Sequence, residues 1–350
     1  MPQIWKFRVT LKLSPHTAPV IAVLGAGSWG TGLALQLDRS GSRSILWDRD
    51  TENLLKIRQA RSNERYLPGI EIPVSIAVET DVLDAVKAAD HVLLVTPSHA
   101  FASVLTTIRE VLVPGQGVAW ACKGFEPGSG RLLHHVATDL LPEGTPQAIV
   151  TGPSFAKEVA MNLPTAVTVA GSDSTFTKVM ANALHGGRFR AYTSDDMIGA
   201  ELGGAVKNVM AVATGICDGL KLGDNARAAL ITRGLAEMMR LGVALKAKPE
   251  TLMGLAGAGD LILTCTGDLS RNRQLGLKLG QGKTLETALN EIGQVVEGVN
   301  SSAEVQRLSL THDINMPISE QVNGIIHKGW DPVEGVARLM AREQKAEHGE

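Results

Sequence analysis

Long apolar runs are missing from this 350-residue chain: no stretch of 18 or more apolar residues occurs, so no spanning helix is expected and the protein should be soluble. An excess of one charge is missing too. Lys and Arg total 34 against 36 Asp and Glu, a formal net charge of −2. No global basic field recruits nucleic acid or an anionic membrane, and any anion site must be built locally. Cysteine is scarce: Cys122, Cys217 and Cys265 are an odd, scattered set without C-x-x-C. That argues against a disulfide framework and for buried thiols in a reducing compartment. The nine histidines show no metal-ligand spacing, so no metal is expected. Internal repeats, low-complexity tracts and a Pro/Ser linker are also lacking.

Glycine, by contrast, is abundant: 37 residues, roughly 11% against a usual ~7%, many beside apolar runs, a pattern that suggests backbone approaching a ligand. With 44% hydrophobic and 20% charged residues the chain should fold throughout, and its length suggests two domains. Residues 1–19 carry Lys6, Arg8 and Lys12, while Phe7, Val9, Leu11 and Leu13 alternate with polar positions. This extension reads either as an extra edge strand or as a loose basic tail from an upstream start. Apolar runs at Val20–Leu24, Ser44–Trp47, Val74–Val78, His91–Thr96, Gly117–Cys122, Ala148–Thr151 and Thr165–Ala170 then alternate with helix-like segments. Such alternation predicts an α/β domain with a mostly parallel sheet over 20–195. From about Ser194 small and aliphatic residues recur at helical spacing, predicting an all-helical domain over 196–350, with the boundary between Tyr192 and Lys207 and no flexible link.

Gly25-Ala-Gly-Ser-Trp-Gly30 follows the first apolar run and opens a helix, and Asp48 ends the next strand 23 residues after Gly25. In that context the motif is a Rossmann fingerprint: Gly25 makes the turn, Gly27 admits a pyrophosphate and Gly30 packs the helix on the strand. Asp48 would accept from a ribose 2′-hydroxyl, favouring NAD; Arg49 would pair with a 2′-phosphate, favouring NADP. Both cofactors stay open. Pro153, within Thr151-Gly-Pro-Ser-Phe-Ala156, suits the first position of another helix facing a ligand. Lys207, in a helix read over Ala200–Cys217, has Gly203, Gly204, Ala211 and Thr214 on its face. Partial desolvation there should lower its pKa for proton transfer, unless it snorkels to water. Asp260 ends a glycine-rich turn before an apolar segment, so it should be buried and need a cationic partner. Ser270-Arg-Asn-Arg273 reads as a capped helix start whose two guanidinium groups make a local phosphate site, or as two solvated arginines.

Together these blocks resemble the bacterial soluble type of NAD(P)-dependent sn-glycerol-3-phosphate dehydrogenase. They are GAGSWG, ACKGFE, GPSFAKE, ELGGAVKN, AGAGDLILTC, SRNR and VVEG, in order between about Val20 and Ala341. The resemblance implies cytoplasmic, reversible reduction of dihydroxyacetone phosphate for glycerophospholipid synthesis, by a homodimer whose partners are a small phosphorylated triose and NAD or NADP. It implies Lys207 as proton donor and acceptor, with Asp260, Thr264 and Asn208 beside it. Substrate contacts would fall on Lys123, Gly152, Ser154, Lys207, Asp260, Ser270, Arg271 and Asn272. Cofactor contacts would fall on Ser28, Trp29, Arg49, Tyr66, Lys123, Ala156, Arg271, Val295 and Glu297, beside Gly25, Gly27, Gly30 and Asp48 of the fingerprint. A related dehydrogenase of a 3-hydroxy acid or sugar acid is the alternative. It would need carboxylate recognition, against which SRNR and GDLILTC speak.

Overall fold

The computed structural model describes residues 18–344; the alternating segment 1–17 lies outside them. Ten strands occur among these residues: β1 Val20–Leu24, β2 Arg43–Trp47, β3 Ser62–Asn63, β4 Leu67–Glu71, β5 Ala77–Val78, β6 His91–Leu94, β7 Val118–Trp120, β8 Gln147–Thr151, β9 Thr165–Gly171 and β10 Phe189–Ser194. Eight form one sheet in the order β10-β9-β8-β7-β6-β1-β2-β5. From β5 to β8 all neighbours are parallel. This is the doubly wound order, with its topological switch between β1 and β6. β9 then runs antiparallel to β8, and β10 runs parallel to β9.

The apolar strand runs follow from burial on both faces. Along β1, Ile21 and Val23 join a core with Leu33, Leu37 and Leu46 on one side. Ala22 and Leu24 point the other way, to Val92, Leu94, Phe101 and Trp120. The turn after β1 is glycine-dependent in two ways. Gly25 sits at φ +123°, and a Cβ on Gly30 would lie 1.8 Å from the Gly25 carbonyl oxygen.

Beyond the sheet the chain is helical. The central helix Met197–Gly219 is capped by Asp196, whose carboxylate accepts from Gly199 N–H at 2.9 Å, and is buried continuously from Gly199 to Cys217. A helix buried on all sides cannot show an amphipathic stripe, which accounts for its near-continuous small and aliphatic composition. Helix Arg271–Gly280 crosses it closely: a Cβ on Gly276 would lie 2.0 Å from the Val212 carbonyl oxygen.

Several local expectations are corrected. The Val74–Val78 run pairs only at Ala77–Val78, and Val74 is 89% exposed. The pair β3–β4 and the strand β10 carry no clear apolar run in the sequence; β10 lies at the sheet edge with only Phe189 buried, so the apolar signal is diluted. Pro153 does not begin a helix, because the helix starts at Ala156 behind an extended Phe155 cap. The expected glycine-rich turn is a π-helical one, Leu255–Gly259, running directly into helix Asp260–Thr266.

Candidate active site

A cleft of about 1290 Å³ opens at the carboxyl ends of β1 and β6 and continues between the sheet and the helical half. Gly25, Gly27, Ser28 and Trp29 form part of it beside Asp48, Arg49 and Tyr66, while Lys207, Thr264, Ser270, Arg271 and Asn272 line the helical side. Gly30, Gly152 and Asp260 lie behind its surface, supporting residues that do line it.

The sheet side fits a dinucleotide. Gly27 caps helix Ser28–Arg39 without a side chain, and none of the described residues lies within 4 Å of where its Cβ would be. The uncapped first turn can therefore meet an anion. Trp29 Nε1 is a buried donor with no partner among the described residues. Asp48 departs from the simple ribose reading. Its Oδ2 accepts from Ala26 N–H at 2.7 Å and its Oδ1 from Asp50 N–H at 3.0 Å. It therefore also shapes the glycine turn.

The polar centre joins four segments. Lys207 Nζ donates to Asp260 Oδ1 at 2.6 Å and to Thr264 Oγ1 at 3.0 Å. Lys123 Nζ donates to Asp260 Oδ2 at 2.9 Å and to the Gly152 carbonyl at 3.1 Å. Asp260 is 1% exposed and Lys207 6%. Burial pushes the Lys207 ammonium down to about 8, with Asp260 opposing the shift and Lys123 adding to it. For Asp260, burial alone would raise the carboxyl pKa, but Lys123 and Lys207 outweigh it and hold it below the usual range. The lysine is thus desolvated rather than snorkelling, and the expected partner of Asp260 is a pair of ammonium groups.

Two asparagines connect this centre to the cleft's far end. Asn208 Nδ2 donates to the Lys123 carbonyl at 3.2 Å, and its Oδ1 accepts from Asn272 Nδ2 at 2.8 Å. Asn272 Oδ1 accepts from Gly298 N–H at 2.8 Å. Ser270 caps helix Arg271–Gly280 by accepting from Arg273 N–H at 3.2 Å. Of the two guanidinium groups expected at this helix start, one is committed elsewhere. Arg273 is bound to Asp218 at 2.7 Å and to Asp268 at 2.7 Å, whereas Arg271 faces the cleft and, among the described residues, donates only to Gln294, at 3.3 Å.

Ser154, whose hydroxyl donates to the Gly152 carbonyl at 2.9 Å, and Ala156 line the same cleft, as does exposed Val295. Glu297 accepts from Ser98 N–H at 3.0 Å and Ser98 Oγ at 2.7 Å, tying the loop after β6 to the helical half. Sequence reasoning missed Ser98 and also Arg65, which stands on the cleft wall next to Tyr66. Neither sits in a chemical motif, and only the fold brings Ser98 to Glu297 and Arg65 to the cleft.

The chain matches the family described as NAD-dependent glycerol-3-phosphate dehydrogenase twice, by its N-terminal part over residues 20–177 and by its C-terminal part over 196–337. A glycerol-3-phosphate dehydrogenase (NAD(P)+) of Stenotrophomonas maltophilia is 59% identical over 332 residues, covering 95% of this chain and 97% of that protein. One from Xanthomonas euvesicatoria is 58% identical over 328 residues, covering 94% and 96%. The crystal structure of glycerol-3-phosphate dehydrogenase from Coxiella burnetii superposes with a TM-score of 0.90 at 47% identity, covering 93% of this chain and all of that one.

Proposed function

The chain belongs to the NAD-dependent glycerol-3-phosphate dehydrogenase family, and on that premise we propose how its residues divide the reaction. The protein is an NAD(P)-dependent oxidoreductase that reduces dihydroxyacetone phosphate to glycerol 3-phosphate. NADH or NADPH, when bound, supplies the hydride. Gly25, Gly27, Ser28, Trp29 and Gly30 build the pyrophosphate cradle, with Asp48, Arg49, Tyr66, Ala156, Val295 and Glu297 as further cofactor contacts.

Lys207 protonates the substrate oxygen as the carbonyl carbon gains hydride, and recovers the proton in the reverse direction. Asp260 holds the Lys207 and Lys123 ammonium groups toward the cleft, and Thr264 fixes Lys207 from its other side. Lys123 offsets charge developing on the same oxygen. Asn208 sets the backbone of Lys123. Gly152 anchors the Lys123 ammonium from below, and Ser154 borders the triose. Arg271, with Ser270 and Asn272, receives the phosphate at the helix start.

The observation that carries this division is the buried carboxylate shared by two ammonium groups, one of them Lys207 with its pKa lowered to about 8. We divide the chain into an extension 1–19, a cofactor half 20–195 and a substrate half 196–350. We assign it to the cytoplasm, where its three buried free thiols fit, as a homodimer feeding glycerophospholipid synthesis. Reduced-nicotinamide absorbance with dihydroxyacetone phosphate, against a hydroxypyruvate-type acid and a blank, tests the chemistry. Turnover of the acid alone would favour the hydroxy-acid alternative. Light scattering after size exclusion tests the dimer.

A further inference from the structure

At the end of the cleft beyond β2, Asp48 has both carboxylate oxygens occupied by backbone N–H groups, so it is poorly free to choose between cofactors by itself. Arg49 is exposed on the same wall. Arg65, between β3 and β4, joins it there from a different segment. Its guanidinium lies 5.1 Å from the Tyr66 ring centroid and 2.7 Å from Asp50 Oδ2. The other oxygen, Asp50 Oδ1, accepts from Asn53 N–H at 3.0 Å and caps helix Thr51–Ala60.

We propose that Arg65 is a second guanidinium, beside Arg49, for the 2′-phosphate of NADP, and that Asp50 competes with that phosphate for it. The inference rests on the cleft being the cofactor site. The physical argument is one of exchange. The Arg65 and Asp50 side chains are 60% and 34% exposed, and an ion pair in water is held weakly. A phosphate monoester brings a charge of about −1.5 to −2 and three acceptor oxygens, which a planar guanidinium meets with two parallel donors. The Tyr66 ring beneath keeps the guanidinium on the wall when it leaves Asp50. NAD carries a neutral hydroxyl at that position and has nothing with which to displace the carboxylate. The Asp50–Arg65 pair therefore sets the balance between the two cofactors.

The test is equilibrium binding, by calorimetry on the full chain, of two probes differing only in the phosphate: adenosine 2′,5′-bisphosphate and 5′-AMP. Arg65→Ala should lose about three- to tenfold in affinity for the bisphosphate while 5′-AMP stays within about twofold, which also shows that the site remains folded. Asp50→Asn keeps an oxygen to cap the helix but drops the competing charge, so bisphosphate affinity should rise by a similar factor. Equal losses of both probes in Arg65→Ala would make Arg65 an adenine support and overturn the assignment. Unchanged bisphosphate affinity in Arg65→Ala, with selective loss in Arg49→Ala, would overturn it while leaving the cofactor site intact. A wild type that binds neither probe would overturn the cofactor reading and this proposal with it.

Discussion

Replacing Lys207 by Met tests the proposed chemistry most directly, because the two side chains have similar length and the substitution removes the ammonium alone. Lys207 is 6% exposed and donates to Asp260 and Thr264. Losing a positioned general acid costs ~10² to 10⁴-fold in kcat. Lys123, still 2.9 Å from the other Asp260 oxygen, can continue to offset charge on the reacting oxygen but is not placed on Oδ1. A loss of about 10³-fold, inside that range, is expected. Removing one partner of a buried ion pair costs ~3 to 5 kcal/mol when the other is left uncompensated. Here Asp260 keeps Lys123, so a smaller loss of about 1 to 3 kcal/mol is expected, the cost of leaving a buried acceptor short of one donor. Reduced-nicotinamide absorbance gives kcat, and quenching of tryptophan fluorescence gives cofactor affinity, since Trp29 and Trp47 border the cleft. Near-normal kcat would remove Lys207 from the mechanism. Loss of kcat together with cofactor binding would mean collapse of the site rather than loss of its acid.

The pH dependence follows from the lowered Lys207 pKa of about 8. Ketone reduction needs the protonated amine, so its kcat should be level below that value and fall as pH rises through it. Glycerol 3-phosphate oxidation needs the neutral amine and should rise through the same window; parallel profiles in both directions would contradict the assignment. Arg271→Ala should raise KM for dihydroxyacetone phosphate by the equivalent of ~1.5 to 3 kcal/mol, read from initial rates, and an unmoved KM would put the phosphate elsewhere. Arg49→Ala should lower kcat/KM for NADPH selectively. Asp48→Ala should weaken both cofactors, because Ala26 N–H loses its acceptor, whereas Asp48→Asn retains an acceptor; steady-state kinetics with each cofactor separates the two.

Much of the fold is written locally. The apolar run of β1, the glycine turn, the helix behind it and the acid ending β2 are consecutive, so steric limits within one βαβ unit identify a dinucleotide fold without reference to the rest of the chain. The composition of Met197–Gly219 likewise marks a helix buried on every side, and Ser270 announces its cap. These features depend on neighbours a few residues away, the range over which backbone conformation and hydrophobic period operate. By its local sequence Asp260 required a cation, but no local pattern names the lysines 53 and 137 residues distant that meet it. Tertiary structure supplies both, because the segment after β7 and the central helix each bring a lysine to Asp260 at the start of its helix. It also withdrew Arg273 from the phosphate site by placing Asp218 against it, turned Asp48 toward the glycine turn, and brought Arg65 to the cleft wall. Charge pairing and donor satisfaction are settled by distance in space, and distance between remote segments exists only once the chain has packed.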